Sequence, residues 1–143
     1  MSLTRVTTAV ALISVLTFAT GSFVHSTSSH AGVTIVVRMT GGADGYRFSP
    51  ANISAHIGDV VRFVNVSGGP HNVSFWADSI PAGAAASLQK NMQQTMDALE
   101  GVMLSGPNET YTVSLAGLRP GTYRYYCAPH LAVGMVGRIT VRP

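Results

Sequence analysis

The feature that most constrains this chain is a stretch near its C-terminus, Cys127-Ala-Pro-His130-Leu-Ala-Val-Gly-Met135, which puts a thiol, an imidazole and a thioether in one loop. A second imidazole stands far upstream, in Gly69-Pro70-His71-Asn72-Val73. Two imidazoles and a thiolate in one plane, with a weak axial thioether, make the ligand set of a blue-copper electron-transfer site. A fold that uses these groups together must carry two distant segments to one end of the molecule. Cys127 is the only cysteine, so it cannot be half of an intramolecular disulfide. A lone Cys or Met is ordinarily a buried apolar filler. The Cys-x2-His-x4-Met spacing, joined to a distant Pro-His-Asn, favours ligation over filling.

The scaffold that could hold such loops is legible from Val33 onward. Short β-branched and aromatic runs alternate with turn residues, the pattern of strands. Val33–Met39 stops at Gly41-Gly42, and Tyr46–Phe48 stops at Ser49-Pro50. Ile53, Ala55 and Ile57 share one face of an alternating segment, which puts His56 on the other and makes it a surface residue. Val60–Val66, Tyr111–Leu115, Gly121–Tyr126 and Val136–Val141 complete the set. About seven short strands with regular turns predict an all-β, antiparallel sandwich.

One segment departs from that period. Leu88, Met92, Met96 and Leu99 recur at spacings of four, four and three, which predicts an amphipathic helix inserted around residues 83–100. A methionine run could also be a surface for Cu(I), since thioethers are soft donors. Leu within the stripe favours packing on a sheet.

Arg5, the apolar run Val6–Phe18 and the small residues Ala19-Thr20-Gly21 form an export signal, expected to be cleaved near residue 21 or as late as residue 31 at Ser29-His30-Ala31. The apolar run is short for a membrane span of ~20 residues, so no span is expected after cleavage, although retention as an anchor is the alternative. Residues 22–32 read as a spacer carrying His25 and His30, and 33–143 as one domain. Charged residues are only 10% of the chain and the formal charge is +3. The basic residues stand singly from Arg5 to Arg142, so a nucleic-acid footprint is not expected. The same dispersion predicts that charge steers association only weakly.

The wider sequence resembles plastocyanin and the small cupredoxins. The likeness runs through Gly69-Pro70-His71-Asn72-Val73-Ser-Phe75, Asp78-Ser-Ile80-Pro81-Ala82-Gly83, Gly106-Pro107-Asn108-Glu109-Thr110-Tyr111, Gly121–His130 and Gly134–Val141. It implies a Greek-key β-sandwich holding one type 1 copper ion, with His71, Cys127 and His130 equatorial and Met135 axial. It implies that Asn72 ties the two ligand loops together and that Pro129 removes a backbone N–H near the sulfur. Tyr126 resembles the family's surface tyrosine on a second electron route, and equally suits an ordinary strand position. Plant members carry an acidic run where this chain has Trp76-Ala77-Asp78-Ser79, with one acid, and the 82–104 segment is longer than the family's short helix.

The expectation is therefore an exported, monomeric one-electron carrier, periplasmic or otherwise extracytoplasmic, in the thylakoid lumen if the organism is photosynthetic. It exchanges electrons with redox proteins docked on the apolar loop around His130, at Leu131. Copper storage or delivery is the alternative. It is not an enzyme: a multicopper oxidase needs further paired histidines, and the chain has five in all. Structural zinc is disfavoured because it wants a fourth strong donor in place of a thioether.

Overall fold

The computed structural model describes residues 31–143. The segments expected to be an export signal and a spacer, as far as His30 and with His25, lie outside the described residues.

Two sheets pack face to face. One has the order β2-β1-β4-β8, built from Arg47–Ser49 (β2), Thr34–Thr40 (β1), Val60–Asn65 (β4) and Thr110–Ser114 (β8). The other has the order β3-β10-β9-β5-β7-β6, built from Asn52–His56 (β3), Val136–Arg142 (β10), Gly121–Tyr126 (β9), Ser74–Phe75 (β5), Glu100–Gly101 (β7) and Thr95–Asp97 (β6). The alternation expected of half-buried strands is present: in β4, Val61, Phe63 and Asn65 are buried while Arg62 is exposed. In β3, Ala55 is buried and His56 exposed, as its register predicts.

The core between the sheets is aromatic. Tyr125 sits edge-to-face with Phe48 at 4.8 Å and with Phe63 at 5.3 Å between ring centroids, the arrangement ring quadrupoles favour. Its hydroxyl donates to the Ala51 carbonyl at 2.9 Å, which satisfies a group that burial would otherwise penalise.

Three features differ from the sequence expectation. Two of the strand pairs, β1–β4 and β10–β3, run parallel within the otherwise antiparallel sheets. Short strands β5, β6 and β7 add to the set that the sequence pattern predicts. Helix α1 spans only Ala85–Asn91, and Met92 is already extended at φ −78°, ψ 134°. From there the chain forms the β6–β7 hairpin, with Leu99 left-handed at φ 57°. The edge of β5 offers unpaired backbone groups, and β7 pairs with it at Ser74–Glu100. Tyr111 adds a hydroxyl bond to the Gln94 carbonyl at 2.6 Å. Leu88, Met92 and Leu99 are buried as the stripe required, but Met96 is 50% exposed because it lies on the hairpin. Among the described residues no helix is long and apolar enough to cross a membrane.

Candidate metal centre

The 127–135 loop joins β9 to β10 and closes on itself. The Cys127 amide donates to the Met135 carbonyl at 3.0 Å, and the amides of His130 and Met135 donate to Cys127 and His130 carbonyls at 3.1 Å each. Ala128–Val133 form a 3-10 turn that Gly134 ends in the left-handed region, at φ 82°. His71 follows β4 and is held from the other side, exchanging both backbone bonds with Leu104, 3.0 Å and 2.8 Å.

These two tethers bring three donors together. Cys127 Sγ lies 3.6 Å from His71 Nδ1 and 3.4 Å from His130 Nδ1, and the three donor atoms fall within 4.8 Å of one another. A first-row ion with bonds of about 2.1 Å to nitrogen and 2.3 Å to sulfur separates two such donors by about 3.6–3.8 Å, so the spacing fits one shared ion. His71 Nε2 lies 2.9 Å from the Ser67 carbonyl. Donating its N–H there leaves the Nδ1 lone pair facing Sγ, as a metal-binding imidazole requires. Met135 is buried at the end of the same loop, 1% exposed.

Burial pushes the Cys127 thiol above its ordinary value, opposed in part by backbone hydrogen bonds from Asn72 and His130. Burial, and then the neighbouring His71, push the His130 imidazole below its ordinary value. Without a metal, the pocket therefore favours a neutral thiol beside a neutral imidazole. A bound cation reverses the thiol's preference and must displace its proton.

Asn72 links the two loops. Its Oδ1 accepts from the Ala128 amide at 2.7 Å, and its Nδ2 donates to Ser74 Oγ, Glu100 Oε1 and the Gly101 carbonyl at 3.2–3.3 Å. Pro129 is exposed at the start of the 3-10 turn, and Leu131 and Val133 are 40% and 62% exposed beside half-buried His130. Tyr126 is half-buried against Trp76, with ring centroids 4.4 Å apart.

Sequence reasoning missed several contributors. Tyr46 stacks on His130, and Glu100 braces Asn72 from the unforeseen β7. The dispersion of basic residues also holds only along the chain, because β9 and β10 make Arg124 and Arg138 direct cross-strand partners.

Residues 34–142 match the family described as copper binding proteins, plastocyanin/azurin family. Plastocyanin B'/B'' of Nicotiana tabacum is 45% identical over 97 residues, covering 68% of this chain and 89% of the relative. The chloroplastic plastocyanin of Solanum lycopersicum is 42% identical over 104 residues, covering 72% of this chain and 56% of the relative. The oxidised plastocyanin of the fern Dryopteris crassirhizoma superposes with a TM-score of 0.60 at 28% identity, covering 76% of this chain and all of that one. With the His71, Cys127 and His130 donors converging at the end of a two-sheet sandwich, this chain belongs to the plastocyanin/azurin family of copper binding proteins.

Proposed function

We infer that this protein is a blue-copper one-electron carrier of the plastocyanin-like type and not an enzyme, in which His71, Cys127, His130 and Met135 would hold one copper ion. The observation that carries this reading is the convergence of one thiol and two imidazole Nδ1 atoms at 3.4–3.6 Å, inside a pocket whose strands hold them in place. A bound copper ion supplies a Cu(II)/Cu(I) couple that a near-trigonal donor set serves in both states. The residues around it limit rearrangement: the Ser67 carbonyl orients His71, and Asn72 locks the Ala128 amide. Pro129 has no N–H to offer the sulfur, which keeps a donor away from the thiolate.

Carriage is favoured over storage or delivery because Cys127 and His71 are both 0% exposed. Hand-over of a metal by ligand exchange needs donors an acceptor can reach. His130 is the ligand nearest the surface, and Leu131 and Val133 make an apolar rim around it on which a redox protein docks. Tyr126, bonded in sequence to Cys127, offers a second way out. The domain works as a monomer over residues 33–143, exported after cleavage of the N-terminal signal to an extracytoplasmic space. A chloroplastic relative makes the thylakoid lumen one such address.

The absorption spectrum of the copper-loaded protein tests the central reading. An intense visible charge-transfer band is expected, and Cys127→Ser should abolish it even where copper is retained, because a hydroxyl lacks the soft sulfur donor. A strongly coloured Cys127→Ser protein would sink the ligand assignment.

A further inference from the structure

The outer face of the first sheet carries a row of arginines that the sequence disperses. Arg47 of β2, Arg38 of β1 and Arg62 of β4 alternate with buried neighbours and are all exposed. Register sets them on a diagonal. Arg38 lies opposite Ser49 and Val64, two residues along from Arg47 on one side and from Arg62 on the other. Diagonal neighbours are within reach of long side chains, so like charges placed there oppose the fold. Among the described residues none of the three pairs with a carboxylate. Arg47 donates instead to the Asp44 carbonyl at 2.9 Å, and Glu109, at the opposite edge, holds the Gly106 amide at 3.0 Å.

The other outward strand positions are threonine, serine or valine, with no acid and no aromatic ring among them. Valines alternate with the arginines: Val64 stands opposite Arg38, and Val36, 39% exposed, stands opposite Arg62. Such a chequer of guanidinium and methyl groups matches the boundary of a lipid layer, where phosphates lie beside glycerol and the first acyl carbons. A protein partner is a poorer match, because tight protein contacts centre on anchors seated in pockets, aromatic rings above all. Each guanidinium can take a phosphate through two N–H groups, and mobile lipids can bring one to every arginine.

The row begins at the metal end of the molecule. Tyr46, next in the chain to Arg47, stacks on His130, and β4 runs on into the His71 loop. A molecule lying on this face therefore keeps the His130 rim at its edge, beside the lipid surface.

We propose that the Arg38, Arg47 and Arg62 face of the first sheet docks on a bilayer surface that contains anionic phospholipid. The contact itself needs no metal. Its use rests on the carrier reading: a carrier held at the surface searches in two dimensions for redox proteins embedded in the bilayer. Its apolar rim stays free to meet them.

Flotation of the copper-loaded protein with lipid vesicles tests this. Vesicles of mixed phosphatidylglycerol and phosphatidylcholine should carry the protein at low salt and release it at high salt. Pure phosphatidylcholine vesicles should not carry it. Affinity should fall about fivefold for each arginine changed to glutamine, and about 25-fold in R38Q/R62Q. R38K/R62K should keep most of the binding, and Val36→Glu should weaken it as the loss of an arginine does. R124Q/R138Q, on the opposite sheet, should bind as the wild type does. Every variant carries the same N-terminus, so differences between variants report the face alone. Wild-type affinity in R38Q/R62Q, or equal binding to pure phosphatidylcholine, would overturn the proposal. So would arginine-dependent binding of polyglutamate with no binding to the anionic vesicles, which would make the face a protein contact. A protein that floats as expected but shows no visible copper band counts against the carrier reading alone, because flotation needs no chromophore.

Discussion

Tyr46 lies flat on the imidazole of His130, with ring centroids 3.9 Å apart and planes inclined by 15°. His130 is the donor nearest solvent, so its ring has the least protein around it, and the stack covers one of its faces. Gly41 makes the arrangement possible. A β-carbon there would come within 2.3–2.4 Å of the Tyr46 ring.

Replacing Tyr46 should therefore be felt at the metal. Tyr46→Phe keeps the stack and should leave the visible band unchanged. Tyr46→Ala should shift the band and cost about 0.5–1.5 kcal/mol in the unfolding of the metal-free protein, beyond the loss of buried area. Gly41→Ala should reproduce the spectral shift without removing the tyrosine. A normal spectrum in both Tyr46→Ala and Gly41→Ala would show that the stack does not orient His130.

The four ligands should differ in what their loss does. Met135→Leu removes a weak donor and keeps the equatorial set, so the blue band should persist while the reduction potential rises, since losing a donor disfavours Cu(II). His71→Ala should instead abolish normal copper binding. Voltammetry with metal analysis decides the matter, and copper loss confined to Met135→Leu would reverse the two roles.

Asn72→Ala should loosen the joint between the loops. It deprives the Ala128 amide of its acceptor and strands Glu100 without its amide partner. A lost partner for a buried group costs about 1–3 kcal/mol, and loss of a brace behind the ligands lowers metal affinity by about 10–100-fold. Denaturant unfolding of the metal-free form and competitive copper titration measure the two effects separately. Wild-type affinity in Asn72→Ala would contradict the brace.

The metal-free protein should be most stable between the ordinary values of imidazole and thiol. His130 titrates below its ordinary 6.5 in the fold, so its contribution is present above 6.5 and is lost as pH falls through the depressed folded value. Cys127 titrates above its ordinary 9.0, so its contribution is present below 9.0 and is lost as pH rises through the raised value. Melting temperatures across that range should fall on both sides, the acid side being absent in His130→Gln. Copper loading near neutral pH should release about one proton, detectable in weakly buffered solution.

Docking at the His130 rim should respond to apolarity and hardly to charge. Leu131→Glu places a desolvation penalty in the contact and should slow electron transfer to the partner that uses this face, while Asp78→Asn should leave that rate nearly unchanged. Insensitivity to Leu131→Glu would remove the rim from the docking surface.

Much of this was legible in the chain because it is local or periodic. The Cys127–Met135 loop is short enough that its spacing alone implies a shared site. Ile53, Ala55 and His56 show their faces by alternation, which pleating imposes whatever the neighbouring strand. The helical stripe ends at Asn91, short of what its spacing predicts, because backbone pairing with β5 outweighs the local preference of residues 92–101, and that competitor lies elsewhere in the chain.

By itself, then, the sequence placed a thiol, two imidazoles and a thioether as candidate donors in two loops, and it determined the strand faces. The tertiary structure alone decided which strands became neighbours, and with that the partners of every outward-facing side chain. Tyr46 over His130, Glu100 against Asn72 and Arg138 beside Arg124 all join residues from separate strands or loops. Periodicity states which face a residue takes. Strand order and register state what it faces, and those are set by long-range pairing that no local pattern encodes.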